Sequence, residues 1–182
     1  MDLGLKGKTA IVCASSRGLG KACALSLARE GANVVINGRA APALADAKPE
    51  IEAAGPGTVT AIAGDLNTKE GRAKLIAAAP DADILVNNNE GPPPGAFEQW
   101  ELDDWQAALD ANLLAPVFMI KSLIGGMKER RFGRIVNITS AMVKSPHSAM
   151  GLSTAARSGL TAVCKGLSKD VAPLNVTLNN ML

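Results

Sequence analysis

The segment CASSRGLGKA, residues 13–22, follows the β-branched run TAIV and opens a stretch of helical periodicity. A glycine-containing turn between a strand and a helix aims unpaired amide N–H groups and the positive helix end at one point, which is the chemistry of phosphate binding. Gly18 and Gly20 would admit the close approach, with Ala14, Ser16, Arg17 and Leu19 completing the turn. A pair of glycines alone could equally serve strand-to-helix packing. Two arginines tip the balance. Arg17 lies inside the turn, and Arg39 follows Asn37 in NGR at the end of the second β-branched run. No acid ends that run to hold a free ribose hydroxyl, whereas guanidinium groups suit a 2′-phosphate. The expected ligand is NADP(H) in preference to NAD(H).

Such a turn must be held by a sheet. Six short runs read as strands: TAIVC (9–13), NVVIN (33–37), TVTAIA (58–63), DILVNN (83–88), RIVNITS (134–140) and NVTLNN (175–180). They alternate with longer stretches of helical spacing, the pattern of a parallel sheet wrapped by helices. The runs are too apolar for one wet face, so helices are expected on both sides. The sequence thus predicts an α/β fold of the doubly wound, Rossmann type. Residues 41–55 look helical, but Pro49 would cost a backbone bond inside a helix, so that helix begins near Pro49 or kinks there. NNNEGPPPGAF (87–97) is a stiff loop at a strand end, the edge that faces ligands in such sheets.

Composition narrows the classes. The chain of 182 residues fits a single domain with one continuous core. A net charge of +2, with basic and acidic residues interspersed, gives no nucleic-acid footprint. No apolar run approaches the roughly 18 residues that a membrane span needs, and the N-terminus lacks a signal-peptide pattern, so a cytoplasmic location is expected. The three cysteines, Cys13, Cys23 and Cys164, are scattered among apolar residues and read as reduced thiols. His147 is the single histidine, which leaves no metal-ligand spacing and hence no expected metal.

From Leu5 to Leu182 the chain resembles the short-chain dehydrogenase/reductases, and among them the 3-oxoacyl-carrier-protein reductases. IVCASSRGLG is similar to the family's TGxxxGxG turn, with Cys13 and Ala14 where threonine and the first glycine usually stand. Ala14 fits there only if its backbone does not need a positive φ. By this resemblance Asp65 and Leu66 hold the adenine and Asn88 contacts the cofactor, while Asn89 and Glu90 replace Ala and Gly of the NNAG strand end. Asn112 matches the active-site asparagine, and Ser140 the serine that hydrogen-bonds a substrate carbonyl. Thirteen residues on, Ser153 stands in place of the catalytic tyrosine, and four further Arg157 stands in place of lysine. The chain contains no tyrosine at all, so no shift of register restores it.

The resemblance implies hydride transfer between a nicotinamide and a small carbonyl or alcohol substrate. Serine is a far weaker acid than tyrosine and would act only through a bridging water. Arg157, one helical turn along, can hold the nicotinamide ribose but does not release a proton at working pH. His147 could substitute as acid, although a loop histidine beside a proline is ordinarily solvated. The alternative expectation is an NADP(H)-binding protein without turnover, a sensor or the inactive subunit of an oligomer; a third is an interaction module that has lost the cofactor. The family also implies a homodimer or homotetramer, paired through the two long helices, and a further loop and strand beyond Leu182, from which a C-terminally truncated chain is expected.

Overall fold

The computed structural model describes residues 2–182. Six parallel strands form one sheet in the order β3-β2-β1-β4-β5-β6. They are β1 (Thr9–Val12), β2 (Asn33–Gly38), β3 (Val59–Ala63), β4 (Ile84–Asn87), β5 (Gly133–Ile138) and β6 (Val176–Met181). All six runs predicted from the sequence are strands, because short β-branched segments bounded by Gly, Asn and Asp can bury both faces only in a sheet. The order reverses between β1 and β4, where the ends of the strands open a crevice.

Helices α1 (Gly18–Arg29) and α2 (Ala41–Glu52) pack on one face, with Ala24, Ala28, Leu44, Ala47 and Ile51 set against Ala10, Val12, Val34 and Ile36. On the other face, α3 (Lys69–Ala78), α5 (Ala115–Glu129) and α6 (Gly151–Val171) bury Leu75, Met119, Leu123, Met127 and Leu160 against Ile11, Leu85 and Ile135. Small alanines on α1 and α2 let those helices approach closely, while the opposite face is filled by larger side chains.

Three expectations need correction. Helix α2 does not begin near Pro49: it starts at Ala41 with Pro42 in its first turn and runs to Glu52 with Pro49 inside. Burial of Leu44, Ala47 and Ile51 along one stripe outweighs the missing N–H. The covering of both sheet faces does not reach β6, where Val176 is buried but Thr177, Asn179 and Met181 are exposed on alternate positions. Finally, the helical stretch Leu102–Glu129 is long and apolar enough to cross a membrane by length and mean hydropathy. One stripe of it, Ala115, Met119, Ile120, Leu123 and Met127, is buried against the sheet, while Leu102, Leu114 and Phe118 are exposed.

That stretch is not one regular helix. α4 (Leu102–Leu109) runs into a π turn over Asp110–Leu114 before α5 begins. Pro116 has no N–H for the carbonyl four residues back, that of Asn112, and its ring would clash there; widening the turn relieves the clash.

Candidate active site

The turn after β1 is shaped by backbone. Ser15 is buried; its hydroxyl donates to the Val12 carbonyl at 2.7 Å and accepts from the Asn37 amide at 2.9 Å. Ala14 adopts φ +44° and Gly18 φ +58°. The condition for an alanine at position 14 is therefore not met: Ala14 sits in the left-handed region, at a cost of about 1–2 kcal/mol. Gly20 has a different task. A Cβ there would lie 2.3 Å from the Ala14 carbonyl oxygen, so only glycine lets α1 start against the turn.

Arg17 is the N-cap of α1 but makes no capping bond with its side chain, and no acid stands in the first turn. The first amides of α1 are left for a ligand, with the positive helix end behind them. They face a cleft of about 480 Å³. Its walls include Ala14, Ser16, Arg17, Gly18 and Leu19 from the turn, Asn37 and Arg39 from the end of β2, Asp65 and Leu66 from beyond β3, and Asn88 from beyond β4. The structure thus brings the predicted cofactor residues to one place except Gly20 and Arg157, which are not on this wall. Asn37 does not offer its side chain to the cleft. It is 1% exposed, donates to the Ile62 and Gly64 carbonyls at 3.1 and 3.0 Å, and accepts from the Ala14 amide. Asn37 holds the turn to the end of β3.

Across the crevice, the Asn88 side chain donates to the Ala14 carbonyl at 3.2 Å. Asn89 donates to Asn67 Oδ1 at 3.0 Å and to the Ala111 carbonyl at 3.1 Å. Glu90 pairs with Arg39.

Beside the cleft lies a small cavity of about 20 Å³, room for about one water. Asn88, Asn112 and Arg157 meet there with Cys13 and Leu66. Asn112 sits on the π turn and is 5% exposed; its amide donates to the Glu90 carbonyl at 3.3 Å and the Ala108 carbonyl at 3.4 Å. Arg157 is 9% exposed and donates to the Ile138 and Thr139 carbonyls at 2.9 and 2.6 Å, while its Nε has no partner. No carboxylate neutralises it among the described residues. Burial pushes its pKa below the ordinary guanidinium value. Burial likewise pushes the Cys13 thiol up to about 12, against a smaller opposing effect of the Asn88 amide.

Ser140 and Ser153 line neither this cavity nor the cleft. Ser140 Oγ accepts from the Met142 amide at 3.2 Å as the cap of a short turn. Ser153, one turn before Arg157 on α6, is 3% exposed. His147 is an exposed loop residue whose Nδ1 accepts from the Ala149 amide at 3.2 Å.

Two features escaped the sequence reading. Asn87, Asn137 and Asn180 stand side by side on β4, β5 and β6, and their amides bond in series at 2.8 and 2.9 Å. Of the three only Asn87 ends an apolar run, so the sequence carries little signal for the series. Trp100 closes the other side: Cβ atoms on Gly95 and Gly151 would fall 2.7 and 2.6 Å from its ring, and Gly95 donates to the Ala149 carbonyl at 3.0 Å. The proline loop is thereby fastened to the start of α6. Between them lies a second cleft of about 490 Å³, with Pro92–Pro94, Trp100 and Asp104 on its walls.

The family model for short chain dehydrogenases matches residues 8–182. The chain is 33% identical over 177 residues to an NADPH-dependent reductase of Bacillus subtilis, covering 94% of this chain and 68% of that protein. It is 32% identical over 179 residues to a 3-oxoacyl-[acyl-carrier-protein] reductase of Synechocystis, covering 96% and 72%. The solved structure of L-sorbose reductase from Gluconobacter frateurii, complexed with NADPH and L-sorbose, superposes with a TM-score of 0.94 at 28% identity, covering 99% of this chain and 70% of that one. A glycine turn at an uncapped helix, a crevice at the reversal of strand order and matched sequence over nearly the whole length agree: this chain belongs to the short-chain dehydrogenase/reductase family, with a likeness to its 3-oxoacyl-carrier-protein reductases.

Proposed function

We propose that this chain is an NADP(H)-dependent oxidoreductase with an altered active site, acting in the cytoplasm as a homo-oligomer on a small carbonyl or alcohol substrate. The observation that carries the reading is the uncapped start of α1 with Arg17 and Arg39 on one cleft wall. Unpaired amides and two guanidiniums fit a pyrophosphate and a 2′-phosphate, so the residues present suit the cofactor. The bound nicotinamide would supply or accept hydride.

In this reading the turn from Ala14 to Gly20 binds the pyrophosphate, with Ser16 and Leu19 as part of its wall. Asp65 and Leu66 flank the adenine, and Asn37 keeps the turn in shape. Asn88 and Arg157 lie where the nicotinamide ribose would rest. Arg157 contributes fixed positive charge in a dry place, where it acts strongly on a nearby alkoxide. Ser140 polarises the carbonyl by donating its O–H while its Oγ accepts from the Met142 amide, and Asn112 fixes the loop through the Glu90 carbonyl. Ser153 reaches the substrate oxygen only through water. Absence of a phenol removes the positioned acid, which lowers turnover by a factor of about 10² to 10⁴.

A second reading, cofactor binding without turnover, is favoured by one observation: neither Ser140 nor Ser153 lines the cleft or the small cavity beside it. Titration with NADPH and NADH followed by nicotinamide fluorescence tests the shared part. NADPH oxidation over a panel of ketones and 3-oxoacyl thioesters then separates the two. Oxidation that depends on substrate and falls in Ser140→Ala supports the enzyme; tight NADPH binding with no oxidation supports the second reading; no binding of either cofactor overturns both.

A further inference from the structure

We propose that Glu90 governs how strongly this chain distinguishes a 2′-phosphorylated from an unphosphorylated dinucleotide, by competing with the phosphate for Arg39. The inference rests on the cofactor reading above. Arg39 follows β2 and Glu90 follows β4, and β1 lies between those strands. Their ion pair therefore crosses the end of β1, over the turn that is offered to the pyrophosphate. Both residues line both clefts, so the pair stands on the partition between them.

Charge makes the consequence specific. Arg17, Arg39, Asp65 and Glu90 share the first cleft, two cations against two carboxylates. With Glu90 on Arg39 the side-chain charges of the cleft cancel, and the attraction for a 2′-phosphate at Arg39 is reduced. A 2′-phosphate must displace the carboxylate and then tolerate it nearby, whereas a bare 2′-hydroxyl meets neither demand. The side chains of Arg39 and Glu90 are 65% and 61% exposed, so the pair is weak and readily exchanged. That makes Glu90 a modest brake on phosphate capture.

The test compares the full chain with Glu90→Gln, Arg39→Ala and the double variant, titrated with NADPH, NADH, adenosine 2′-phosphate and adenosine. Expected for Glu90→Gln is tighter NADPH and adenosine 2′-phosphate binding by about fivefold, with NADH and adenosine changed less than twofold. The gain should shrink in high salt and vanish in the double variant. Equal tightening of NADPH and NADH would overturn the proposal, because the pair would then be a lid over the groove rather than a rival of the phosphate. Unchanged NADPH affinity would overturn it while leaving the cofactor reading intact. Absence of any dinucleotide binding by all four proteins would overturn both. Thermal unfolding of each variant checks the fold, which an exposed pair scarcely supports.

Discussion

The two halves of the crevice are built by different means. On the β1–β2 side the shape comes from backbone: Gly18 and Ala14 turn left, and Gly20 removes a Cβ that would strike a carbonyl. On the β4–β6 side it comes from side chains: three asparagines in series, Asn112 on its widened turn, and a cationic Arg157 held by carbonyls. The first half has kept the form that a phosphate requires. The second has a polar floor, with Ser153 and Arg157 one turn apart on α6 and both buried. On the reading proposed above, binding and chemistry fall in separable parts of the crevice.

Breaking the backbone half should have the largest effect. Gly20→Ala is expected to cost at least about 3 kcal/mol and abolish NADPH binding, since backbone must move. Gly125→Ala, at a helical position with nothing within 4 Å of the added Cβ, should instead gain about 0.5–1 kcal/mol. Thermal melts of the two variants decide whether the effect is local to the turn.

Breaking the side-chain half should cost somewhat less. Asn137→Ala leaves the Asn87 amide and the Asn180 carbonyl oxygen without their partner, for a loss of about 2–4 kcal/mol in urea unfolding. NADPH affinity should fall far less than in Gly20→Ala. Equal losses of affinity would erase the distinction between the halves.

Alkaline pH probes the boundary between them, at Cys13. Its folded pKa, about 12, lies above the unfolded value of 9.0, so the thiol stabilises the fold while protonated. That contribution is complete below pH 9.0 and declines as pH rises toward 12, because the unfolded chain ionises first. Stability measured from pH 8 to 10.5 should fall, and Cys13→Ala should flatten part of the slope, since burial also raises the Cys164 and Cys23 thiols. A slope unchanged by the substitution would place the cause elsewhere.

The smallest effect sharpens the comparison on the backbone side. Ala14→Gly relieves the left-handed strain and returns part of the gain as chain entropy, for a net of about 0.5–1 kcal/mol, or 2–3 °C in Tm. Cofactor affinity should be kept or improved. A lower Tm would mean that the alanine methyl contributes packing that outweighs its strain.

The same division decided what could be read in advance. The strands, the turn and the reversal point were legible, because they depend on β-branched runs and on glycine spacing within a few neighbouring residues. Asn87, Asn137 and Asn180 are 50 and 43 residues apart and meet only through the register of β4, β5 and β6. Pattern along the chain does not carry register between strands. Glu90 and Arg39, 51 residues apart, were each read as solitary groups for that reason. The start of α2 was not legible at Pro49, because local propensity is weighed against burial that only the sheet supplies.

Trp100 gives the molecule a built-in optical reporter. The chain has two tryptophans and no tyrosine, and Trp100 and Trp105 lie edge to face with ring centres 5.8 Å apart. Nearly all near-ultraviolet emission therefore originates in one corner, beside the proline loop and the second cleft. Reduced nicotinamide absorbs where indole emits, so quenching of that emission would report arrival of the dinucleotide and any loosening of the loop without an added label.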